Sequence, residues 1–297
     1  MTGVLHPQAE AAVALWAQGP RVTDPGFDIA QQRRLGREQA AAEPREPVAR
    51  VEDVDAGGVP CRLFLPEGAT GAIVFLHGGG FVFGDVETHD AQSRRLANRT
   101  GLAVLAVDYR RPPEHPFPAA PDDVDTAVAW LLAKGYDLGV DVARLVALGD
   151  SAGGNLALVS ALRNPTVFSA TVLVYPFVDP QQRFESYLTE AGGLGADEAA
   201  WFWQQYAAST DDLRDPDLAP IDSDLLHTLP PSLVVAAEHD PLVDEDVELA
   251  RLMRSAGVAT ELTTYPGMVH GFWRQPALFE AAEESLAEIA DFLRRTV

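Results

Sequence analysis

The sequence predicts an α/β fold in which helices flank a mostly parallel, twisted central sheet. From about residue 70 onward, short apolar runs alternate with helical patterns. Continuous apolar runs are typical of parallel strands that are covered on both faces. A length of 297 residues is also ordinary for a single α/β domain. We therefore expect a doubly wound sheet that is built from alternating strands and helices.

The predicted strands are short runs that are rich in Val, Ile, Leu, Ala and Thr. The first two should form a pair, and the others should alternate with helices. In chain order they are Val48–Val54, Cys61–Leu65, Ala72–Leu76, Leu102–Val107, Leu145–Leu148, Thr171–Tyr175, Ser232–Ala237 and Thr260–Tyr265.

Three predicted helices have recognisable ends. One opens at Pro121 and Asp122 and is closed by Gly135. A second extends from about Asp244 to Ser255, with acidic residues in its first turn and arginines near its end. That charge order complements the helix dipole. The last helix, from about Pro276 to Arg295, presents an apolar face on one side.

Two stretches lack strand periodicity and are predicted to cover the sheet. Residues 1–45 look helical and precede the first strand pair, whereas residues from about 177 to 228 are rich in aromatic side chains. Ligands of such folds bind at the carboxyl edge of the sheet. We therefore expect an N-terminal cap region at 1–45, a main α/β domain at 46–297, and a cap-like insertion at about 177–228. Surface decoration is the alternative for either stretch.

The chain is strongly acidic, with a net charge of −22 from 44 acidic and 22 basic residues. Such a surface repels nucleic acid and anionic membranes, so neither is an expected partner. It also leads us to expect that anionic esters are disfavoured as substrates. An ordinary, well-solvated acidic surface is the favoured explanation of this charge, and adaptation to salt is the alternative.

Cysteine content and hydropathy indicate a cytoplasmic protein. The sole cysteine, Cys61, can form neither an intrachain disulfide nor a cysteine metal cluster. The first twenty residues have no basic leader, and no apolar run approaches transmembrane length.

The segment Gly149–Gly153 reads Gly-Asp-Ser-Ala-Gly and lies between a predicted strand and a helical run. This is the Gly-x-Ser-x-Gly pattern in the context that a nucleophile elbow requires. The sharp turn costs the serine on the order of 1–2 kcal/mol, and the next helix directs its positive end at a developing anion. Ser151 is therefore the predicted nucleophile. An ordinary glycine-rich turn or a phosphate cradle are the alternatives.

Three consecutive glycines follow the strand Ala72–Leu76, directly after His77. Such a run costs backbone entropy, which implies a close approach of the backbone to a ligand unless the loop is merely flexible. In acyl transfer, amide N–H groups of this loop and of the residue after the nucleophile can converge on the developing oxyanion. The candidate oxyanion hole comprises Gly78, Gly79, Gly80 and Ala152. His77 is expected to brace the loop.

The general base must be a histidine that follows the serine, because hydrolases with this elbow have the order Ser, Asp or Glu, then His. The histidines that qualify are His227, His239 and His270. His270 is preferred because it lies in a loop that precedes the last helix. Its imidazole could hang over the sheet edge, and imidazole can accept and return a proton near neutrality.

The matching acid is predicted to be Asp240, at the end of the strand Ser232–Ala237. Its neighbour His239 is a poor partner for it, because adjacent side chains there tend to project in different directions. Asp244 is the reserve acid, although a charge at a helix N-terminus explains it better. The carboxylate would orient the imidazole and stabilise the imidazolium without taking the proton.

Taken together, these motifs resemble the bacterial hormone-sensitive-lipase-like esterase family, which has the α/β-hydrolase fold. The resemblance covers about residues 50–295. The matching segments are His77–Gly80, Asp108–Arg110, Pro113–Ala120, Gly149–Gly153, Asp240–Glu245 and His270–Phe272. In one departure, Arg111-Pro112 stands where the family usually has Leu-Ala, which puts the packing of that loop in question.

The resemblance implies a serine carboxylesterase that cleaves short- to medium-chain acyl esters and has an N-terminal cap, and it makes a homodimer plausible. It also implies that the amides of Gly79, Gly80 and Ala152 are the oxyanion donors. The expected mechanism is a Ser-His-Asp triad with an acyl-enzyme intermediate and no metal or cofactor. An amide-cleaving hydrolase (arylformamidase- or peptidase-like) and a non-catalytic small-molecule receptor are the alternatives.

Several further residues are candidates for the substrate pocket, although core packing explains each aromatic one equally well. They are Phe81, Phe83, Asp150, Trp201, Phe202, Trp203 and Tyr206.

Overall fold

A computed structural model of the chain describes residues 3–297 and contains one eight-stranded sheet. The strands are β1 (Arg50–Asp55), β2 (Pro60–Leu65), β3 (Ala72–Leu76), β4 (Ala103–Val107), β5 (Leu145–Asp150), β6 (Ala170–Val174), β7 (Ser232–Ala237) and β8 (Thr260–Tyr265). Their order is β1-β2-β4-β3-β5-β6-β7-β8. The pairs β1·β2 and β2·β4 are antiparallel, and all other pairs are parallel. The predicted mostly parallel sheet is confirmed.

The α-helices lie before, between and after these strands along the chain. They are α1 (Pro7–Trp16), α2 (Ile29–Ala41), α3 (Asp90–Thr100), α4 (Ala119–Leu138), α5 (Ala152–Arg163), α6 (Ser186–Thr189), α7 (Ala196–Tyr206), α8 (Val243–Ser255) and α9 (Glu280–Thr296). Within residues 3–297, none of them is both long and apolar enough to cross a bilayer.

Two helix ends differ from the sequence prediction. Helix α4 continues past Gly135 to Leu138 and is capped by Gly139, which adopts the left-handed conformation with φ 83°. Gly135 serves packing instead, because a Cβ there would lie 2.2 Å from the side chain of Val142. Helix α9 begins at Glu280 rather than near Pro276, since the preceding Phe279 is extended and fully buried.

The core lies on both faces of the sheet, because successive side chains of a strand point to opposite sides. In β3, Val74 belongs to the cluster under α4, α5 and α8, whereas Ile73 and Phe75 belong to the cluster under α3 and α9. All residues of β3 to β7 are buried. Burying each large apolar side chain contributes roughly 1.5–3 kcal/mol, so the parallel strands form a rigid base.

The carboxyl ends of the parallel strands bring the predicted chemical groups to one edge. Strand β5 leads directly into Ser151, and β3 leads into the glycine loop. Strand β7 ends three residues before Asp240, and β8 ends five residues before His270. Because these strands run parallel in one sheet, with only β6 between β5 and β7, residues that are far apart in sequence converge there.

Candidate active site

Ser151 lies on a strained turn between β5 and α5, with φ 55° and ψ −121°. A non-glycine residue adopts positive φ only at a cost, so surrounding contacts must hold it there. The Ser151 amide donates to Val174 O at 2.8 Å, and Phe177 N donates to Ser151 O at 3.1 Å. A Cβ on Gly153 would lie 1.9 Å from Leu76 O. Glycine is therefore required at that position for the elbow to pack against β3.

A chain of hydrogen bonds joins the three side chains predicted as a triad. His270 Nε2 lies 3.0 Å from Ser151 Oγ, and His270 Nδ1 lies 2.7 Å from Asp240 Oδ2. The other oxygen of Asp240 accepts the amide N–H of Leu242 at 2.9 Å. The Asp240 side chain is fully buried, whereas that of His270 is 13% exposed. The acid is thus fixed in place, and the imidazole faces both the serine and the cavity above it.

The backbone around residue 192 holds His270 in position. His270 N donates to Gly192 O at 2.9 Å. A Cβ on Gly193 would lie 2.6 Å from His270 O, so the two backbones are in close contact. The Tyr175 ring packs against the imidazole with 4.7 Å between ring centroids. These contacts restrict the position of the imidazole.

The other candidate acids and bases make contacts elsewhere. His239 Nδ1 lies 2.9 Å from Glu190 Oε2. Asp244, in the first turn of α8, accepts the amide N–H of Ser186 at 2.9 Å. The exposed His227 contacts Asp224 O through Nδ1 at 3.0 Å.

The glycine loop divides into one structural residue and two that face the cavity. Gly78 N donates to Asp150 Oδ1 at 3.0 Å, which corrects the expectation that Gly78 belongs to the oxyanion hole. Gly79 and Gly80 line the cavity beside Ser151. A Cβ on Gly80 would lie 2.0 Å from the Phe202 ring, so only glycine fits there. Ala152 is the first residue of α5, directly after the nucleophile.

His77 and Arg111 brace the glycine loop from behind. Burial lowers the pKa of His77 to about 3, so its ring is neutral. Tyr109 stacks on this ring, and its hydroxyl donates to His77 O at 2.7 Å. Arg111 Nη1 donates to Gly84 O at 2.7 Å and pairs with Asp108 at 2.6 Å. The position that departs from the family pattern thus supports the loop that carries Gly79 and Gly80.

A cavity of about 170 Å³ lies above Ser151 and His270. Of the predicted pocket residues, Asp150 and Phe202 line it. Phe83 lines a neighbouring groove of about 380 Å³ between α2 and the glycine loop. Trp201 packs edge-on against Phe27, with 6.2 Å between ring centroids, and stacks on Phe83.

Three predicted pocket residues lie in the core instead. Phe81 stacks on Tyr206 with 3.7 Å between ring centroids, and Trp203 packs at 5.4 Å from Phe81. All three are at most 2% exposed and belong to the core cluster on the α4, α5 and α8 side of the sheet. Their apolar character serves packing under the active site, not contact with a ligand.

Several residues that line the cavity had not been predicted from the sequence. They are Tyr175, Phe177, Gly193, Leu194, Gly271 and Arg274. Tyr175 and Phe177 could have been found, because they follow β6, the strand beside the nucleophile strand. Gly193 and Leu194 carry no local signal, since only the tertiary fold brings them to the cavity.

Comparison with known proteins places the chain in a family. A family model described as alpha/beta hydrolase fold matches residues 73–274. An ethyl acetate hydrolase of Pseudomonas putida is 36% identical over 253 residues, which are 81% of this chain and 80% of that protein. A hyperthermophilic esterase of the archaeon Pyrobaculum calidifontis has a TM-score of 0.92 at 36% identity, with 98% of each chain covered.

A solved esterase of the bacterial hormone-sensitive lipase family has a TM-score of 0.88 at 28% identity, again with 98% of each chain covered. The resemblance found in the motifs thus extends over the whole fold. The chain belongs to the α/β-hydrolase family and, within it, to the hormone-sensitive-lipase-like esterases.

Proposed function

We propose that this chain hydrolyses carboxylic esters with short to medium acyl chains, with Ser151 as nucleophile, His270 as general base and Asp240 orienting the base. The observation that carries the proposal is the continuous chain of hydrogen bonds from Asp240 through His270 to Ser151. The class of reaction is that of its esterase relatives, and the chain is a serine carboxylesterase.

In the acylation half, Ser151 Oγ bonds to the ester carbonyl carbon while its proton passes to His270 Nε2. The carbonyl π electrons move to oxygen, and the amides of Gly79, Gly80 and Ala152 donate to the resulting oxyanion. When this intermediate collapses, the bond between carbon and the alkoxy oxygen breaks. The alcohol leaves with the proton that His270 held.

In the deacylation half, water attacks the acyl carbon and gives one proton to His270. The second tetrahedral intermediate expels Ser151 Oγ, which regains its proton from the imidazolium, and a carboxylic acid is released. Asp240 stabilises the imidazolium in both halves and takes no proton itself. Its burial and its second bond, to Leu242 N, favour this fixed role.

Residues 1–45 and the insertion at about 177–228 act as a cap that shapes access to Ser151. The groove beside the catalytic cavity is lined by residues of both segments, among them Phe27, Gln32 and Phe202. The N-terminal segment is also tied to the main domain, since Arg33 Nε donates to Val82 O at 2.9 Å. Substrate would enter between these segments and the glycine loop.

The small cavity leads to a prediction for p-nitrophenyl esters with acyl chains of two to twelve carbons. We expect kcat/KM to be highest between C4 and C8 and at least about 10-fold lower at C12. Each methylene that a pocket buries contributes about 0.8 kcal/mol, but a cavity of about 170 Å³ can bury only a short chain. Steady-state kinetics across the series measure the profile, and an activity that keeps rising to C12 would contradict it.

The matched p-nitroanilide of butyric acid serves as the control for the reaction class. An esterase should cleave it far more slowly than p-nitrophenyl butyrate. Equal rates on the two substrates would favour the amide-cleaving alternative instead.

A further inference from the structure

Arg274 lies at the junction of the catalytic cavity and the neighbouring groove, because it lines both. It ends a 3₁₀ turn, Phe272–Arg274, that begins two residues after His270. Phe272 and Trp273 in that turn are fully buried, so they anchor its backbone. The guanidinium is therefore carried on the same short loop as the general base.

The charge of Arg274 is unpaired within residues 3–297, although carboxylates outnumber cations in this chain two to one. Most arginines pair with carboxylates, as Arg163 does with Asp217 at 2.8 Å. Arg144 and Arg254 donate to backbone carbonyls instead. Arg34 and Arg214 have neither an ion pair nor a side-chain hydrogen bond among the described residues, but both are exposed to solvent. Arg274 differs from them because it is partly buried and borders a cavity that contains the nucleophile.

The positive charge acts inside the cavity. Burial raises the pKa of Asp150, and among the influences that oppose this rise, the Arg274 guanidinium is the largest. Asp150 forms no ion pair with it, and Asp150 Oδ1 instead accepts the amide N–H of Gly78 at 3.0 Å. The donors of Arg274 therefore remain available to a ligand.

We propose that Arg274 binds a carboxylate on the substrate, so that esters bearing an anionic group on one arm, such as half-esters of dicarboxylic acids, are substrates. This inference rests on the proposed ester hydrolysis and specifies its substrate class. A guanidinium presents a planar fork of N–H donors that matches a carboxylate, and such charged hydrogen bonds are roughly twice as strong as neutral ones.

The acidic surface does not prevent this binding. Charges on the solvated surface are screened over about 8 Å at physiological ionic strength. A partly buried cation that contacts its ligand directly is screened much less. The local charge of Arg274 therefore outweighs the net charge of −22. The inference thus reverses the expectation, drawn from the sequence, that anionic esters are disfavoured.

The test compares two matched substrate pairs near pH 7.5. In the first, monoethyl adipate carries a carboxylate where ethyl hexanoate has the terminal methyl of the acyl arm. In the second, butyryloxyacetate carries a carboxylate on the alcohol arm where ethyl butyrate has a methyl. Hydrolysis is measured by alkali titration of the acid released. The quantity compared is the ratio of kcat/KM for the anionic ester to kcat/KM for its neutral partner.

In at least one pair, Arg274→Gln should lower this ratio by about 10- to 100-fold, mainly through KM, because a charge-assisted hydrogen bond is lost. Arg274→Lys keeps the charge without the fork and should lower the ratio less. Arg214→Gln removes an equal charge from the surface and should leave the ratio unchanged.

Ratios that stay within about twofold of the wild type in both pairs, for both Arg274 variants, would overturn the inference. So would a wild-type ratio below about one hundredth in both pairs. Efficient hydrolysis of the neutral esters in either case would leave the proposed function intact. A wild-type protein that hydrolyses none of the four esters would defeat the proposed function and this inference together.

Discussion

Replacing Ser151 with alanine is expected to lower kcat on p-nitrophenyl butyrate by up to about a millionfold, near 8 kcal/mol of activation free energy. The covalent route requires an oxygen that can lose its proton to His270 while it bonds to carbon, and alanine has none. The hydroxyl that the substitution removes is Ser151 Oγ, which lies 3.0 Å from His270 Nε2. Stopped assays at high enzyme concentration, with correction for spontaneous hydrolysis, would measure the residual rate.

The matched control is Ser255→Ala. Ser255 is exposed at the end of α8, where its hydroxyl donates to Arg251 O. Its loss should leave kcat within about twofold of the wild type, because surface substitutions change little. A Ser151→Ala protein that keeps a substantial part of the wild-type activity would remove Ser151 from the mechanism.

Replacing Asp240 with asparagine should lower kcat by on the order of 10⁴-fold, as the corresponding change does in other serine hydrolases. The amide keeps the shape of the side chain but can no longer stabilise the imidazolium, and it can force His270 into the wrong tautomer. The 2.7 Å contact between Asp240 Oδ2 and His270 Nδ1 is the interaction that is changed. Thermal melts of both proteins would show whether the fold is kept.

Asp244→Asn is the matched control for the acid. Its side-chain oxygen can still accept the amide N–H of Ser186 after the change, so structure should be preserved. We expect kcat within about threefold of the wild type. If Asp244→Asn lost as much activity as Asp240→Asn, or if Asp240→Asn stayed nearly active, the assignment of the acid would be wrong.

The sequence alone predicted the sheet well, because short apolar runs bounded by turn residues are a local signal. The bounds of Ala72–Leu76, Ser232–Ala237 and Thr260–Tyr265 agree with β3, β7 and β8. The nucleophile elbow could also be predicted from the sequence. The strained turn requires glycine two residues before and two residues after the serine, so the whole signal lies within five residues.

Features that depend on distant contacts could not be predicted in the same way. Core packing and ligand binding both require apolar aromatic side chains, so nothing local separated the buried Phe81 from Phe202, which lines the cavity. From the sequence, Gly78 cannot be distinguished from Gly79 and Gly80, because all three belong to one glycine run. Its amide is engaged only when the fold brings the Asp150 side chain to it. The unpaired state of Arg274 likewise follows from which carboxylates the tertiary structure leaves out of its reach.

Labelling with diethyl p-nitrophenyl phosphate tests the nucleophile most directly. Ser151 Oγ should displace p-nitrophenolate from phosphorus and retain the diethylphosphoryl group, since no later step removes it quickly. We predict that intact-mass measurement finds one such group per chain, that peptide mapping places it on Ser151, and that activity falls in proportion to labelling. Complete inactivation with the label on another residue, or with residue 151 unmodified, would contradict the account.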